Sequence, residues 1–227
     1  MKTPSWRSFS LDLAKGLTSW MPEGLRGVLT AVDRAVNIGT VIDVGNPEYL
    51  VNHKEDGMNA VEFIHTTVTE MHSAMIEDVK VLSQEHLAWK PAAKANPIGF
   101  LFWHTIRTED NMIHGLQGKA TIWESEKWHE KLGMDARAQG TGFQEPDVDK
   151  VAALPLSEVM AYVERVTASI EGYIKSLDDA GLDRAPNPER PRWTVGMMLR
   201  NFIIVHGWWH LGEIKYLKGM QGMPGAR

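Results

Sequence analysis

His206 and His210 stand four residues apart in FIIVHGWWHLGEI, inside the strongest helical pattern of the chain. Four residues make one helical turn plus about 40°, so both imidazoles leave the same face and can share an ion. The spacing alone is common on surfaces. Here it is set in an apolar helix, where two histidines are costly to bury without partners. Gly207 and Gly212 reduce bulk beside the pair, and Trp208 and Trp209 are placed to wall the neighbouring faces. His104, preceded by Trp103 in GFLFWHTIRTED and bracketed by apolar residues, is expected to face the core as well. Three neutral imidazoles fill three corners of a tetrahedron and leave the fourth open to water or substrate, as in catalytic rather than structural zinc sites. Zinc is the default by ligand preference, and nickel or iron suits three imidazoles almost as well. The plainer alternative is that buried hydrogen bonds alone satisfy the pair.

Glu213 follows His210 by three residues on the same face. It can orient an imidazole, supply a fourth ligand or act as a general base. As an ordinary surface carboxylate it would pair instead with Lys215 or Lys218. His65 and His72 share a helical face seven residues apart, whereas His53, His86, His114 and His129 read as loop or boundary residues. A competing pattern is the Glu-x-x-His element of di-iron proteins, matched by Glu62 to His65 and by Glu126 to His129. Further glutamates at matching depth are missing, and the second match falls in a region without a long helix.

Four helical segments must position these residues. Apolar residues at three- and four-residue steps predict helices over 58–83, 97–117, 157–180 and 194–218. Asn96 with Pro97 reads as the start of the second, and Ser157 as the cap of the third with Gly181 beyond its end. The expected fold is all-α, a four-helix bundle. The loop between helices one and two is short, which favours antiparallel neighbours. Nearly forty residues, roughly 118–156, join helices two and three and can cross the bundle's length, giving an up-down-down-up order. Residues 58–227 form this bundle. Residues 1–57, with the amphipathic stretches LDLAKGL and PEGLRGVLTAVDRAV, read as a helical extension that can cap an end, cover a face or build a homodimer contact.

Composition narrows the function classes. The absence of cysteine in 227 residues excludes disulfides, thiolate nucleophiles and Cys-type zinc sites, so a transition metal here must use His, Asp or Glu. A net charge of −5 without a basic run argues against nucleic acid as the main partner. No stretch of about 18 apolar residues suits a membrane span. Lys2, Arg7, Asp12 and Lys15 interrupt the first twenty residues, leaving no clean signal-peptide core, so the expected location is cytoplasmic.

With these residues in hand, the chain resembles the DinB-like superfamily of metal-binding four-helix bundles, which includes bacillithiol and mycothiol S-transferases and mycothiol-dependent maleylpyruvate isomerase. The resemblance covers roughly residues 58–223. It rests on EHLAWKPAAKANPIGFLFWHTIRTEDNMI and RWTVGMMLRNFIIVHGWWHLGEIKYLKGMQGMPG. The family places one ligand His in its second helix and an H-x-x-x-H pair in its fourth, which implies His104, His206 and His210. An acidic residue five after the first ligand matches Glu109, and Gln or Glu three after the last matches Glu213. The implied activity is a metal-dependent transfer of a low-molecular-weight thiol to an electrophile, in a pocket built partly from Trp103, Trp208 and Trp209. The same ion can instead activate water, with Glu213 as base, or the protein can bind metal or a small molecule without catalysis.

Overall fold

A computed structural model describes residues 58–224 of the protein. The expected extension over residues 1–57, His53 included, lies outside the described residues. Every described element is helical, with no strand among the described residues. Helix α1, Ala60–Val79, begins at a capping box. The Asn59 side chain accepts from the Glu62 amide at 2.9 Å, and the Glu62 carboxylate accepts from the Asn59 amide at 3.1 Å. Two donors that the first turn leaves free are thereby satisfied, worth about 1 kcal/mol. Val68, Met71, His72, Met75 and Val79 form the buried stripe of α1.

After a short α2, Gln84–Ala88, comes α3, Ile98–Gln117, which ends at Gly118 in the left-handed conformation (φ 64°) that glycine adopts without strain. Pro97, with an extended backbone, is itself the capping residue, so α3 starts one residue later than expected and Asn96 does not cap it. The third long helix is shorter than its pattern suggested. Helix α7, Leu156–Lys175, encloses Ser157 and has no side-chain cap. Asp178 then starts a separate α8, Asp179–Asp183, by accepting from the Gly181 amide at 2.7 Å, so Gly181 belongs to a new turn and not to a helix stop.

The long connection is not bare loop. It holds α4 (Ile122–Ser125), α5 (Trp128–Lys131) and α6 (Glu145–Ala152). A β-carbon on Gly99 would lie 3.2 Å from the Ala152 Cα, so α6 approaches α3 closely because Gly99 has no side chain. The last long segment consists of α9 (Val195–Leu199), a π-type turn (Arg200–Val205) and α10 (His206–Met220).

Helix α7 packs along both α1 and α3, and α10 packs along the same two, whereas α1 and α3 touch only lightly. The first connection therefore joins helices across a diagonal and not neighbours, because α2 carries the chain over the end of the core. Trp103, Trp123, Tyr162, Val163, Val166 and Ile170 are fully buried at its centre. No described helix is long and apolar enough to cross a membrane.

Candidate metal centre

The phase of the last segment decides where its histidines point. Val195, Leu199, Ile203, Gly207 and Leu211 are all buried, a run of four-residue steps. In an ideal α-helix each such step drifts by about 40°, so five positions could not all face one core. The wider i→i+5 turn over Arg200–Val205 absorbs the drift and ends where His206 begins. This turn brings His206 and His210 to the same side as His104 of α3.

The three imidazoles are half-buried, and their ligand nitrogens all lie within 4.8 Å of one another. His206 Nε2 and His210 Nε2 are 3.1 Å apart. Two imidazole nitrogens on one tetrahedral zinc ion stand about 3.3–3.4 Å apart, from a bond length of about 2.0–2.1 Å. These two nitrogens need to move by only a few tenths of an ångström. The far side of two rings is already fixed. His104 Nδ1–H donates to the Gln139 carbonyl, and His210 Nδ1–H donates to the Glu213 carboxylate at 2.7 Å. A carbonyl can only accept, so His104 must carry its proton on Nδ1 and present the Nε2 lone pair inward. Burial, reinforced by His210 and His104, pushes His206 down to about 4. Burial likewise holds His104 below its ordinary value, against the opposing pull of the Gln139 carbonyl. His104 and His206 can therefore be neutral donors near neutral pH, and the donor set fits a single divalent ion with an open position.

Glu213 takes the outer role of an imidazole partner; its side chain is 53% exposed. Lys215 and Lys218, the alternative partners, both pair with Asp78 of α1, at 2.5 and 2.6 Å. The aromatic ring laid on the cluster is Phe100, stacked on His104 at 5.6 Å with 3° between the planes. Trp103 is fully buried against Trp123 and Phe143, and hence is part of the core. Trp208 and Trp209 are exposed, at 43% and 73%. Of the two glycines, Gly207 is the tight one: a β-carbon there would meet Met71 Sδ at 2.2 Å, whereas one on Gly212 would meet nothing within 4 Å.

The partner of His104 was not legible in the sequence, because it is a backbone carbonyl on the long connection. A buried polar network clamps that connection to α3. Arg107 Nε donates to the Ala138 carbonyl at 3.0 Å, and the Asp110 carboxylate accepts from the Ile122 and Trp123 amides at 2.9 and 3.0 Å. Arg107 also pairs with Asp110 at 3.0 Å and lies over the Trp123 ring at 4.9 Å. The clamp falls at Ala138, and the next residue supplies the carbonyl for His104. Gly140 follows, at φ 94°, where a β-carbon would lie 2.7 Å from His104 Nδ1. The available sequence signal was Arg107 and Asp110 one turn and more beyond His104, with the glycines of QGTGF downstream. Gly140→Ala is expected to destabilise the fold by about 1–3 kcal/mol through strain and overpacking. It should also weaken divalent-ion binding, which thermal melts paired with zinc titration would show.

The di-iron pattern does not assemble. Glu62 is used in the α1 capping box, Glu126 pairs with Arg165, and His129 Nδ1 bonds the Trp123 carbonyl at 3.0 Å. His65 lies 3.9 Å from Glu171. His114 is a buried member of α3 that bonds Asp110, not a loop residue. His72 is also buried and bonds Glu109 at 2.7 Å. Among the described residues, His104, His206 and His210 form the group able to hold a metal ion.

Three comparisons with known proteins bear on this arrangement. The family model of the DinB superfamily matches residues 68–214, more than half of the chain and a span that includes all three histidines. A solved structure described as the conserved protein of locus from Enterococcus faecalis has the same fold, with a TM-score of 0.59 and 19% identity. The alignment covers 72% of this chain and 99% of that one. No curated protein matches the sequence.

Proposed function

The chain belongs to the DinB superfamily, and from that premise we propose a metal-dependent enzyme that transfers a low-molecular-weight thiol to an electrophilic small molecule. His104, His206 and His210 hold its one divalent ion, zinc by ligand preference, with nickel and iron chemically compatible. The observation that carries this reading is the convergence of three imidazole nitrogens within 4.8 Å, two of the rings anchored from behind by Gln139 and Glu213. The ion would supply Lewis acidity, which favours a thiolate at neutral pH.

The chain's own residues bind and orient. It has no cysteine, so the reacting sulfur must come from a cosubstrate. Two clefts share Asn96 and reach residues that contact the histidines. One, of about 180 Å³, is lined by Leu101, Glu213, Tyr216 and Leu217. The other, of about 260 Å³, is lined by Lys90, Lys94 and Phe143, the last packed on the Phe100 that covers His104. Together they offer an apolar surface for an electrophile and, in Lys94, a cationic side chain for an acidic cosubstrate, with Lys90 already paired to Asp149. Of the tryptophans expected to line the pocket, Trp208 and Trp209 are exposed.

The reading includes an up-down-down-up order for the four long segments. Contacts between them support it. Tyr162 meets Arg107 and Ser169 meets His114, so α7 follows the direction of α3. Asp78 at the end of α1 meets Lys215 and Lys218 at the end of α10.

Activity should require added thiol, persist at neutral pH and vanish on chelation, as a screen of thiols against electrophiles would measure. Glu213→Gln separates this chemistry from hydrolysis. A hydrolase using that carboxylate as base should lose about 10²–10⁴-fold in rate, whereas a transferase should keep much of its activity while metal is retained. Thiol-independent turnover abolished by Glu213→Gln would overturn the transferase assignment.

A further inference from the structure

Two of the three imidazoles have a hydrogen-bond acceptor on Nδ1, and the third does not. His206 Nδ1 is buried without a partner. Its Nε2 faces His210, so once Nε2 is given to an ion, Nδ1 must carry the proton. A buried donor left unpaired is destabilising. An acceptor in the same condition lies alongside. Glu109 is fully buried, and its Oε1 has no hydrogen-bond partner. A β-carbon on Gly207 would lie 3.3 Å from that oxygen, which places it against the backbone one residue beyond His206. The glycine gives the room: any side chain there would fill the space between Glu109 Oε1 and α10, and would strike Met71 as well.

The other oxygen of Glu109 is held from the opposite helix. His72, 3% exposed on α1, donates from Nε2 to Glu109 Oε2 at 2.7 Å, the polar contact between two diagonal helices that otherwise barely touch. A carboxylate in a dry core needs both oxygens satisfied, and only one is. Nothing else in α3 requires a charge at this depth. The neighbouring Arg107 and Asp110 serve the long connection and are already paired with each other.

We infer that Glu109 is the positioning residue for His206, accepting its Nδ1–H directly or through one water while His72 holds the carboxylate from α1. This rests on the metal-site reading above and deepens it. Each ligand ring then has its own acceptor, a carbonyl for His104, an exposed carboxylate for His210 and a buried carboxylate for His206. Helix α1, which supplies no ligand, is tied into the site through His72. Glu109 touches no reacting atom in this arrangement. Its effect is to fix the ring and tautomer of one ligand.

The test compares Glu109→Leu, which removes the acceptor, with Glu109→Gln, which keeps an oxygen and most of the shape. Zinc affinity is measured by chelator competition, and the site geometry by the visible spectrum of the cobalt(II) form. Glu109→Leu should lose about 10–100-fold in zinc affinity, and Glu109→Gln should recover part of the loss. Both should shift the cobalt bands. In the zinc-loaded wild type, nitrogen-15 NMR should find the His206 proton on Nδ1 and hydrogen-bonded. Val166→Ala, a core truncation with no polar role, should lower stability without moving the affinity or the bands. If Glu109→Leu does not fold, Glu109→Gln decides alone. Zinc affinity within about twofold of wild type, with unchanged cobalt bands in every folded variant, overturns the role of Glu109 and leaves the three-histidine site standing. A wild type that binds no divalent ion overturns both.

Discussion

His104→Ala, His206→Ala and His210→Ala are each expected to cut the affinity for one divalent ion by more than about 100-fold, beyond the loss that removing an outer hydrogen-bond partner brings. The expectation follows from geometry. The three nitrogens lie within 4.8 Å, and the described residues bring no other His, Asp or Glu group together in this way. Losing one ring leaves two donors and an open half of the coordination sphere. His65→Ala and His129→Ala are the controls, since His65 lies beside Glu171 and His129 bonds the Trp123 carbonyl. Both should hold the ion as the wild type does. Elemental analysis gives the stoichiometry and chelator competition the affinity. The three rings are only half-buried, so the variants should stay folded and the comparison should read binding alone. Equal metal content in all five variants would remove the site.

What could be read from the residues, and what could not, divides along a physical line. The convergence of the three histidines was legible because His206 and His210 share a face at any helical phase, and because an apolar setting makes unpartnered histidines expensive. The boundaries were less so. Pro97 satisfies its fixed φ equally well as a cap and as a first helical residue, and Asp178 captures the Gly181 amide to begin a new turn where a stop was expected. The π-type turn before His206 was hidden because its last four residues, Phe202 to Val205, are all apolar and give no alternation that marks a change of phase. The roles of Gln139 and Gly140 were beyond reach, since one acts through its backbone and the other through a missing side chain. His72 and Glu109 stand thirty-seven positions apart on diagonal helices, and no local spacing joins them. Trp103 shows the converse limit. Its position beside His104 suggested a pocket wall, but adjacent residues on a helix point about 100° apart, and the indole turns into the core against Trp123.

Asp110→Ala should destabilise the protein by about 3–5 kcal/mol, the penalty of leaving a buried charge without its partner. Arg107 is 1% exposed and would keep Tyr162, Asn111 and the Ala138 carbonyl but lose its carboxylate. The Ile122 and Trp123 amides would lose their acceptor as well, so the start of α4 would detach from α3. Asp110→Asn, which keeps an acceptor of the same shape, should lose less. Urea unfolding measures both. The effect should depend on pH in a defined direction. Burial pushes the Asp110 carboxyl up, but His114, Tyr162 and the two amides together hold it below its ordinary value of 3.8. The same hydrogen bond raises His114 above its ordinary value of 6.5, against the opposing effect of burial. A depressed carboxyl stabilises the fold above its unfolded value and loses that contribution as pH falls through its folded value. A raised histidine stabilises fully below its unfolded value and loses its contribution as pH rises through the folded one. Both contributions are complete between pH 3.8 and 6.5. The wild type should therefore lose stability from this pair on either side of that window, and His114→Asn should flatten the neutral side and shrink the acidic side to what Tyr162 and the two amides sustain. Because Asp110 and Arg107 also hold the connection that brings the Gln139 carbonyl to His104, Asp110→Ala should weaken zinc binding at a distance from every ligand. A variant that loses stability but binds zinc with wild-type affinity would show that His104 keeps its orientation without the clamp.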